Sequence, residues 1–322
     1  MKRILSFFII FGLCVGGLCV NAGAEELLIP VGEIIGLELS DDTVTVAAFD
    51  DSAAGNAREA GLRIGDEIVI VNGKRIRCAQ DVRSSLSGCG EQVPVTVRRE
   101  GKEQQLLIRP DTGDGAPRLG VYLRQGITGI GTVTYYDPES GEFGTLGHGV
   151  SGSDGSLLKM RTGNVYTARI QSVKKGKVGQ PGQLKGSAEA LQTLGTLLRN
   201  TPQGVFGRTR QGWRGEALPV ADYEDVRTGS AVIRSTVSGC EPQEYSVEIL
   251  KIYPENRTDN RNFLLKVTDP GLLAATGGIV QGMSGSPIIQ DGKLVGAVTH
   301  VLVNDPTTGY GIFIENMLDA AA

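Results

Sequence analysis

Histidine is scarce in these 322 residues, which contain two: His148 and His300. With two imidazoles and no Cys-x-x-Cys pair, the usual zinc-ligand sets are missing, and no metal or organic cofactor is expected. Aromatic residues make up 5% of the chain, and 32 basic residues stand against 36 acidic ones, a formal net charge of -4. No basic stripe with interleaved aromatics is present, so nucleic acid is not an expected partner. Cysteine is also sparse. Cys14 and Cys19 fall in an apolar N-terminal run, which leaves Cys78, Cys89 and Cys240, an odd number that no disulfide framework can pair fully.

What is abundant is glycine, at 46 residues, punctuating segments rich in Val, Ile and Thr. That pattern predicts many short strands joined by tight turns. The length suits two compact domains plus a targeting segment. Residues 1–24 have the layout of an export signal: Lys2 and Arg3, an apolar run from Ile4 to Val20, then Ala22-Gly23-Ala24. The run is near the lower limit for crossing a bilayer, so cleavage and retention as an anchor both stay open. Either way the rest of the chain is expected outside the cytoplasm.

Residues 31–110 form a first unit. Asn56 to Leu62 is a short helix ended by Gly61, and Gly65 to Val71 is a strand entering the Asn72-Gly73 turn, a strong hairpin signal. A second helix at about Gln80 to Leu86 and a strand at Val93 to Arg98 complete it. This order, with the run Ala60-Gly61-Leu62-Arg63-Ile64-Gly65-Asp66-Glu67-Ile68-Val69-Ile70-Val71-Asn72-Gly73, resembles the α+β PDZ domains of bacterial proteases. The resemblance implies that a peptide adds as a strand and that its terminal carboxylate meets backbone N–H groups. By position, Ile35, Gly36 and Leu37 are expected to form that loop, for a peptide C-terminus or the chain's own N-terminal segment.

Residues 111–118, rich in turn formers and charge, are expected to be a linker. The second unit, residues 119–322, shows the rhythm of a sandwich or barrel, with one dissenting segment. Ser187 to Leu198 has helical spacing at Ala190, Leu191, Leu194 and Leu198, and a helix is predicted there.

Chemistry centres on Gly282-Met283-Ser284-Gly285-Ser286-Pro287. Small residues around Ser284 let the backbone turn sharply, and the N–H groups of Gly282 and Ser284 are positioned to converge as an oxyanion hole. Pro287 to Ile289, a turn at 290–293 and Leu294 to Val298 predict a β-hairpin directly behind the serine. This combination resembles the nucleophile loop of chymotrypsin-like serine proteases. A nucleophilic serine needs a base. His148 is preferred because double-barrel proteases draw base and nucleophile from opposite halves, and His300 is read as a structural histidine donating to a backbone carbonyl. For the acid, Asp269, 15 positions before Ser284, competes with Asp222 and Asp225, and spacing leaves the choice open.

The PDZ-like unit, Gly147-His148, Val267-Thr268-Asp269 and Thr276-Gly277-Gly278-Ile279-Val280-Gln281-Gly282-Met283-Ser284-Gly285-Ser286-Pro287-Ile288 together resemble the stage IV sporulation protein B peptidases. The likeness continues through Gly296-Ala297-Val298-Thr299-His300-Val301 and Asn304-Asp305-Pro306. It implies a mainly β chain, a PDZ-like module before a chymotrypsin-like β-barrel peptidase domain, and a triad of His148, Asp269 and Ser284. It also implies a self-cleaving sporulation endopeptidase, exported to the space between the forespore membranes. Its protein substrate would be a regulator of a membrane metalloprotease, leading to sigma-factor activation. The competing expectations are a non-catalytic PDZ adaptor and a general quality-control protease.

Overall fold

The computed structural model describes residues 26–322, apart from 54, 114, 153–154 and 255–258; the side chains of 190–192 are also left aside. The expected export segment at 1–24 lies outside the described residues. No helix among the described residues is long and apolar enough to cross a membrane.

The chain is built mainly of strands. In order they are β1 (Leu27–Pro30), β2 (Ile34–Phe49), α1 (Gly55–Glu59), β3 (Glu67–Val71), β4 (Lys74–Arg75), α2 (Ala79–Leu86), β5 (Val93–Arg99), β6 (Lys102–Ile108) and β7 (Val121–Tyr136). There follow β8 (Glu142–Thr145), β9 (Thr162–Lys174), β10 (Gln183–Thr201), β11 (Gly204–Thr209), β12 (Leu218–Pro219), β13 (Gly229–Ser235) and β14 (Gln243–Ile252). The last elements are β15 (Phe263–Val267), α3 (Pro270–Thr276), β16 (Pro287–Gln290), β17 (Lys293–Leu302), β18 (Asp305–Phe313) and α4 (Ile314–Ala321).

Two closed antiparallel barrels result. The first runs β7-β8-β11-β10-β9-β2 and closes through the β2–β7 pairing. Ile35, Leu37, Val133, Phe143, Val165 and Val205 fill it, alternating residues of each strand pointing inward as pleating requires. The second runs β13-β14-β15-β18-β17-β16 around Ile233, Val247, Phe263, Leu265, Ile288 and Val298. The predicted hairpin behind Ser284 is β16–β17, with Asp291 (φ 51°) and Gly292 (φ 77°) at its turn. Two consecutive left-handed residues give the turn that matches strand twist.

The PDZ-like unit is an insertion into the β2–β7 hairpin of the first barrel. Ile34 to Leu39 pairs with β7 on one side and with β9 on the other, inside the barrel. Val44 to Phe49 pairs with Val121 to Gln125, and Val44, Val46, Leu119 and Val121 pack in the PDZ-like core with Leu62, Ile68, Val82 and Val95. The same two strands therefore serve both units. The linker expected at 111–118 is a closed loop, Asp111 and Arg118 exchanging backbone bonds of 2.8 and 3.0 Å and an ion pair at 3.0 Å.

The helix expected at Ser187 to Leu198 is strand β10, paired with both β9 and β11. Register shifts between Ala188 and Thr193 and between Leu197 and Arg199 reset the inward–outward alternation. Both irregularities add residues to β10 alone, so the apolar spacing departs from two. Leu197 faces the core while Leu198 is exposed.

Asp66, 1% exposed, ties the PDZ-like unit together: Arg99 Nε and Nη2 reach its two carboxylate oxygens at 2.7 Å each, and the Arg63 N–H donates to Oδ2 at 2.8 Å. Removing one partner of a buried ion pair strands the other charge. Asp66→Ala is expected to lower the unfolding free energy by about 3 kcal/mol in urea titrations; an unchanged midpoint would contradict this role.

Candidate active site

Ser284 sits at the seam of the two barrels, in the turn that leads into β16. Met283 N–H donates to Val280 O at 3.1 Å and Ser286 N–H to Met283 O at 3.0 Å, so the turn closes on itself. The first barrel holds it from the other side. Thr132, fully buried on β7, donates its N–H to Ser284 O at 3.1 Å and its hydroxyl to Gly282 O at 2.8 Å. Thr134 Oγ1 donates to Gly285 O at 2.8 Å. Gly285 is required here, since a Cβ would lie 2.1 Å from Thr132 O in a backbone of φ +94°.

With their carbonyls engaged by Thr132, Gly282 and Ser284 use neither of their own N–H groups in any hydrogen bond among the described residues. The Ser284 hydroxyl donates to Thr299 O at 2.9 Å.

The His148 loop is held by the same threonine. Thr132 O accepts from Leu146 N–H at 3.4 Å and from the Thr145 hydroxyl. Leu146 (φ 70°) and Gly147 (φ 66°) are both left-handed and turn the chain so that His148 faces β17. A left-handed leucine is an uncommon conformation that surrounding packing must impose. His148 Nδ1 lies 3.0 Å from Gly149 O, and its ring centroid is 5.4 Å from that of His300 on β17.

A cavity of about 410 Å³ contains Ser284, His148 and His300. Its remaining walls are largely aliphatic, with Leu37, Ile127 and Ile130 from the first barrel and Ile279, Val280 and Val301 from the second. Among the described residues, no carboxylate, lysine or arginine lines it.

The expected acids have local partners. Asp269, expected as the orienting acid, is the N-cap of α3: its Oδ1 accepts from Leu272 N–H at 2.8 Å, and Pro270 follows at the first helical position. Asp-Pro at a helix start satisfies this geometry locally, through Oδ1. The charge of Asp269 acts on Tyr245, whose hydroxyl is pushed up by burial first and by Asp269 second. Of its rivals, Asp222 precedes the 3₁₀ turn Tyr223–Asp225, and Asp225 pairs with Lys293 at 3.0 Å.

Ile35, Gly36 and Leu37 do not form a carboxylate-binding loop. They are barrel residues with strands on both sides, and Leu37 instead lines the cavity. The open edge of the PDZ-like unit is Val121 to Gln125, paired with β2 alone and packed beside α2. His300, read from sequence as donating to a carbonyl, lines the cavity against His148. Thr132 carries no sequence motif, and its role exists only through contacts across the barrel seam.

The PDZ family model matches residues 52–99, and that for the SpoIVB peptidase S55 matches residues 115–318. The chain belongs to the SpoIVB peptidase S55 family. It is thus a serine peptidase carrying a PDZ domain, and it is mainly β. It is similar to a protein named as a zinc metalloprotease in Agrobacterium fabrum, 28% identical over 159 residues, 48% of this chain and 40% of that one. Zinc metalloprotease RasP of Geobacillus kaustophilus is 29% identical over 139 residues, covering 40% of this chain and 31% of that one. The chain thus spans less than half the length of these curated relatives. Among solved structures, the inactive form of the Rv3671c protease of M. tuberculosis matches with TM-score 0.36 and 16% identity, over 60% of this chain and 82% of that one.

Burial lowers the pKa of His148, an effect partly opposed by Gly149 O. His300 is lowered to about 4, first by burial, then by the charges of His148 and Arg261, against Asp259. Both imidazoles are therefore neutral at neutral pH, the form a general base needs. A base with a depressed pKa stays neutral below the ordinary histidine value of about 6.5. The acid limb of kcat/KM against a peptide substrate is expected below that pH. A limb above pH 7 would contradict the burial account.

Proposed function

We propose that Ser284 is the nucleophile and His148 the general base of an endopeptidase, with the N–H groups of Gly282 and Ser284 as the oxyanion hole. One observation carries this reading: serine and imidazole open on one cavity at the barrel seam, beside two backbone N–H groups with no other partner among the described residues. On substrate binding the Ser284 hydroxyl leaves Thr299 O and gives its proton to His148 as Oγ bonds to the scissile carbonyl carbon. The oxyanion that forms is held by the two N–H groups. Collapse breaks the C–N bond, the amine leaves with the proton from His148, and water, activated by the same base, releases the acyl group.

The aliphatic walls favour an apolar side chain beside the scissile bond, since a charged one would be buried without a partner. In the PDZ domain the open edge at Val121 to Gln125 takes a peptide strand, from a partner's C-terminus or the chain's own N-terminal segment. The family membership supports the wider reading of an exported, self-cleaving sporulation enzyme of the forespore intermembrane space, tethered to a membrane or released. There it cleaves a regulator of a membrane metalloprotease, leading to sigma-factor activation.

The test uses a fluorogenic leucine peptide and that regulator as substrates. Ser284→Ala is expected to reduce cleavage of both, and self-cleavage, by roughly a thousandfold or more, and lysine or aspartate in place of leucine to slow the wild type. Undiminished cutting by folded Ser284→Ala would overturn the mechanism. Equal cutting of an unfolded model protein and the regulator would favour general quality control.

A further inference from the structure

The two histidines of the chain lie far apart in sequence and meet in the cavity, yet the proposed mechanism uses only His148. We propose that the pair forms an inhibitory zinc site: one Zn²⁺ ion, held by both imidazoles, occupies the nitrogen of His148 that receives the Ser284 proton. The inhibition rests on His148 being the base; the binding does not.

Irregular backbone brings both rings to this place. Leu146 and Gly147, both left-handed, turn His148 toward β17. Strand β17 carries a bulge of its own, since Val298 pairs with Gly311 and His300 with Tyr310, which makes Thr299 an extra residue on its strand. Val298 is fully buried, and regular pleating would send residue 300 to the same face. The bulge turns His300 to the cavity instead, a use of bulges common beside active sites.

The separation of the rings suits a shared ion. Their centroids are 5.4 Å apart, with planes tilted by 38°. Zinc–nitrogen bonds of about 2.0–2.1 Å at a tetrahedral angle put the centres of two imidazoles on one ion roughly 5 Å apart. His148 also has the outer partner typical of metal-binding imidazoles: Nδ1 lies 3.0 Å from Gly149 O, and a proton on Nδ1 leaves the Nε2 lone pair free. His300 is exposed, which gives the ion a path from solvent, and its charged neighbours Asp259 and Arg261 are of opposite sign. No group of three or more His, Cys, Asp or Glu side chains able to hold a metal occurs among the described residues, so water completes the tetrahedron. That is fewer protein ligands than structural and catalytic zinc sites have, and it suits reversible occupancy, not a resident cofactor.

The test titrates zinc chloride into the full chain, stripped of metal by a chelator, and follows both the heat of binding and cleavage of the leucine peptide. His300→Gln, His148→Ala and Ser284→Ala are treated alike, each with its urea midpoint, and calcium chloride serves as the oxygen-seeking control. One zinc ion is expected to bind the wild type and Ser284→Ala equally, and to stop wild-type cleavage until chelator is added, whereas calcium does neither. Either histidine variant is expected to bind zinc roughly tenfold or more weakly, and His300→Gln to need that much more zinc to lose its own metal-free rate. No binding, or unchanged affinity in folded His300→Gln, would overturn the site. Zinc bound through both imidazoles with cleavage unchanged would instead overturn the inhibition and, with it, His148 as the base.

Discussion

The site depends on one buried residue of the first barrel, Thr132. Its N–H and hydroxyl hold the carbonyls of Ser284 and Gly282, and its own carbonyl receives Leu146 N–H and the Thr145 hydroxyl ahead of His148. Nucleophile and base come from different barrels, so neither barrel alone fixes their relation. A single residue at the seam does so, with bonds each worth about 1 kcal/mol net in a fully buried setting. Gly285 is the counterpart of this arrangement, since any side chain there would strike the threonine carbonyl.

The PDZ domain connects to this seam through backbone. Its outer strand, Val121 to Gln125, continues along β7 through Ile127 and Ile130 in the cavity wall to Thr132. Strand β2 makes the same passage in the opposite direction, from Leu37 in the cavity wall to Val44 in the PDZ core. The two strands are joined by an antiparallel ladder interrupted between Leu39 and Val44, where one unit gives way to the other. An insertion in a hairpin, unlike a domain on a tether, shares the hydrogen bonds of its host.

Signals confined to a few neighbouring residues were legible in the sequence. The Asn72-Gly73 and Asp291-Gly292 turns, α1 and α2, and the hairpin behind Ser284 depend on local chemistry and appear where the residues place them. The failures share a cause. In β10, bulges set by pairing with β9 and β11 made strand spacing imitate a helix. The placement of Ile35 to Leu37 assumed that a domain ends where its motif ends, whereas β2 crosses from one unit to the other. His300 and Thr132 acquire their roles from contacts between residues far apart in the chain, which spacing does not encode.

The electrostatic setting follows from the same packing. Closing the barrels over the cavity desolvates both imidazoles and keeps them neutral, while the described residues of its walls include no carboxylate. Such a site needs an aligned base more than a strong one. The central claim, that Ser284 is activated by His148, is tested most directly by labelling with a fluorophosphonate, which reports serine nucleophilicity independently of any substrate. Mass spectrometry should place the adduct on Ser284 in the wild type, with labelling strongly slowed in His148→Ala and retained in Asp269→Asn. Equal labelling of the wild type and His148→Ala, or an adduct on another serine, would contradict the account.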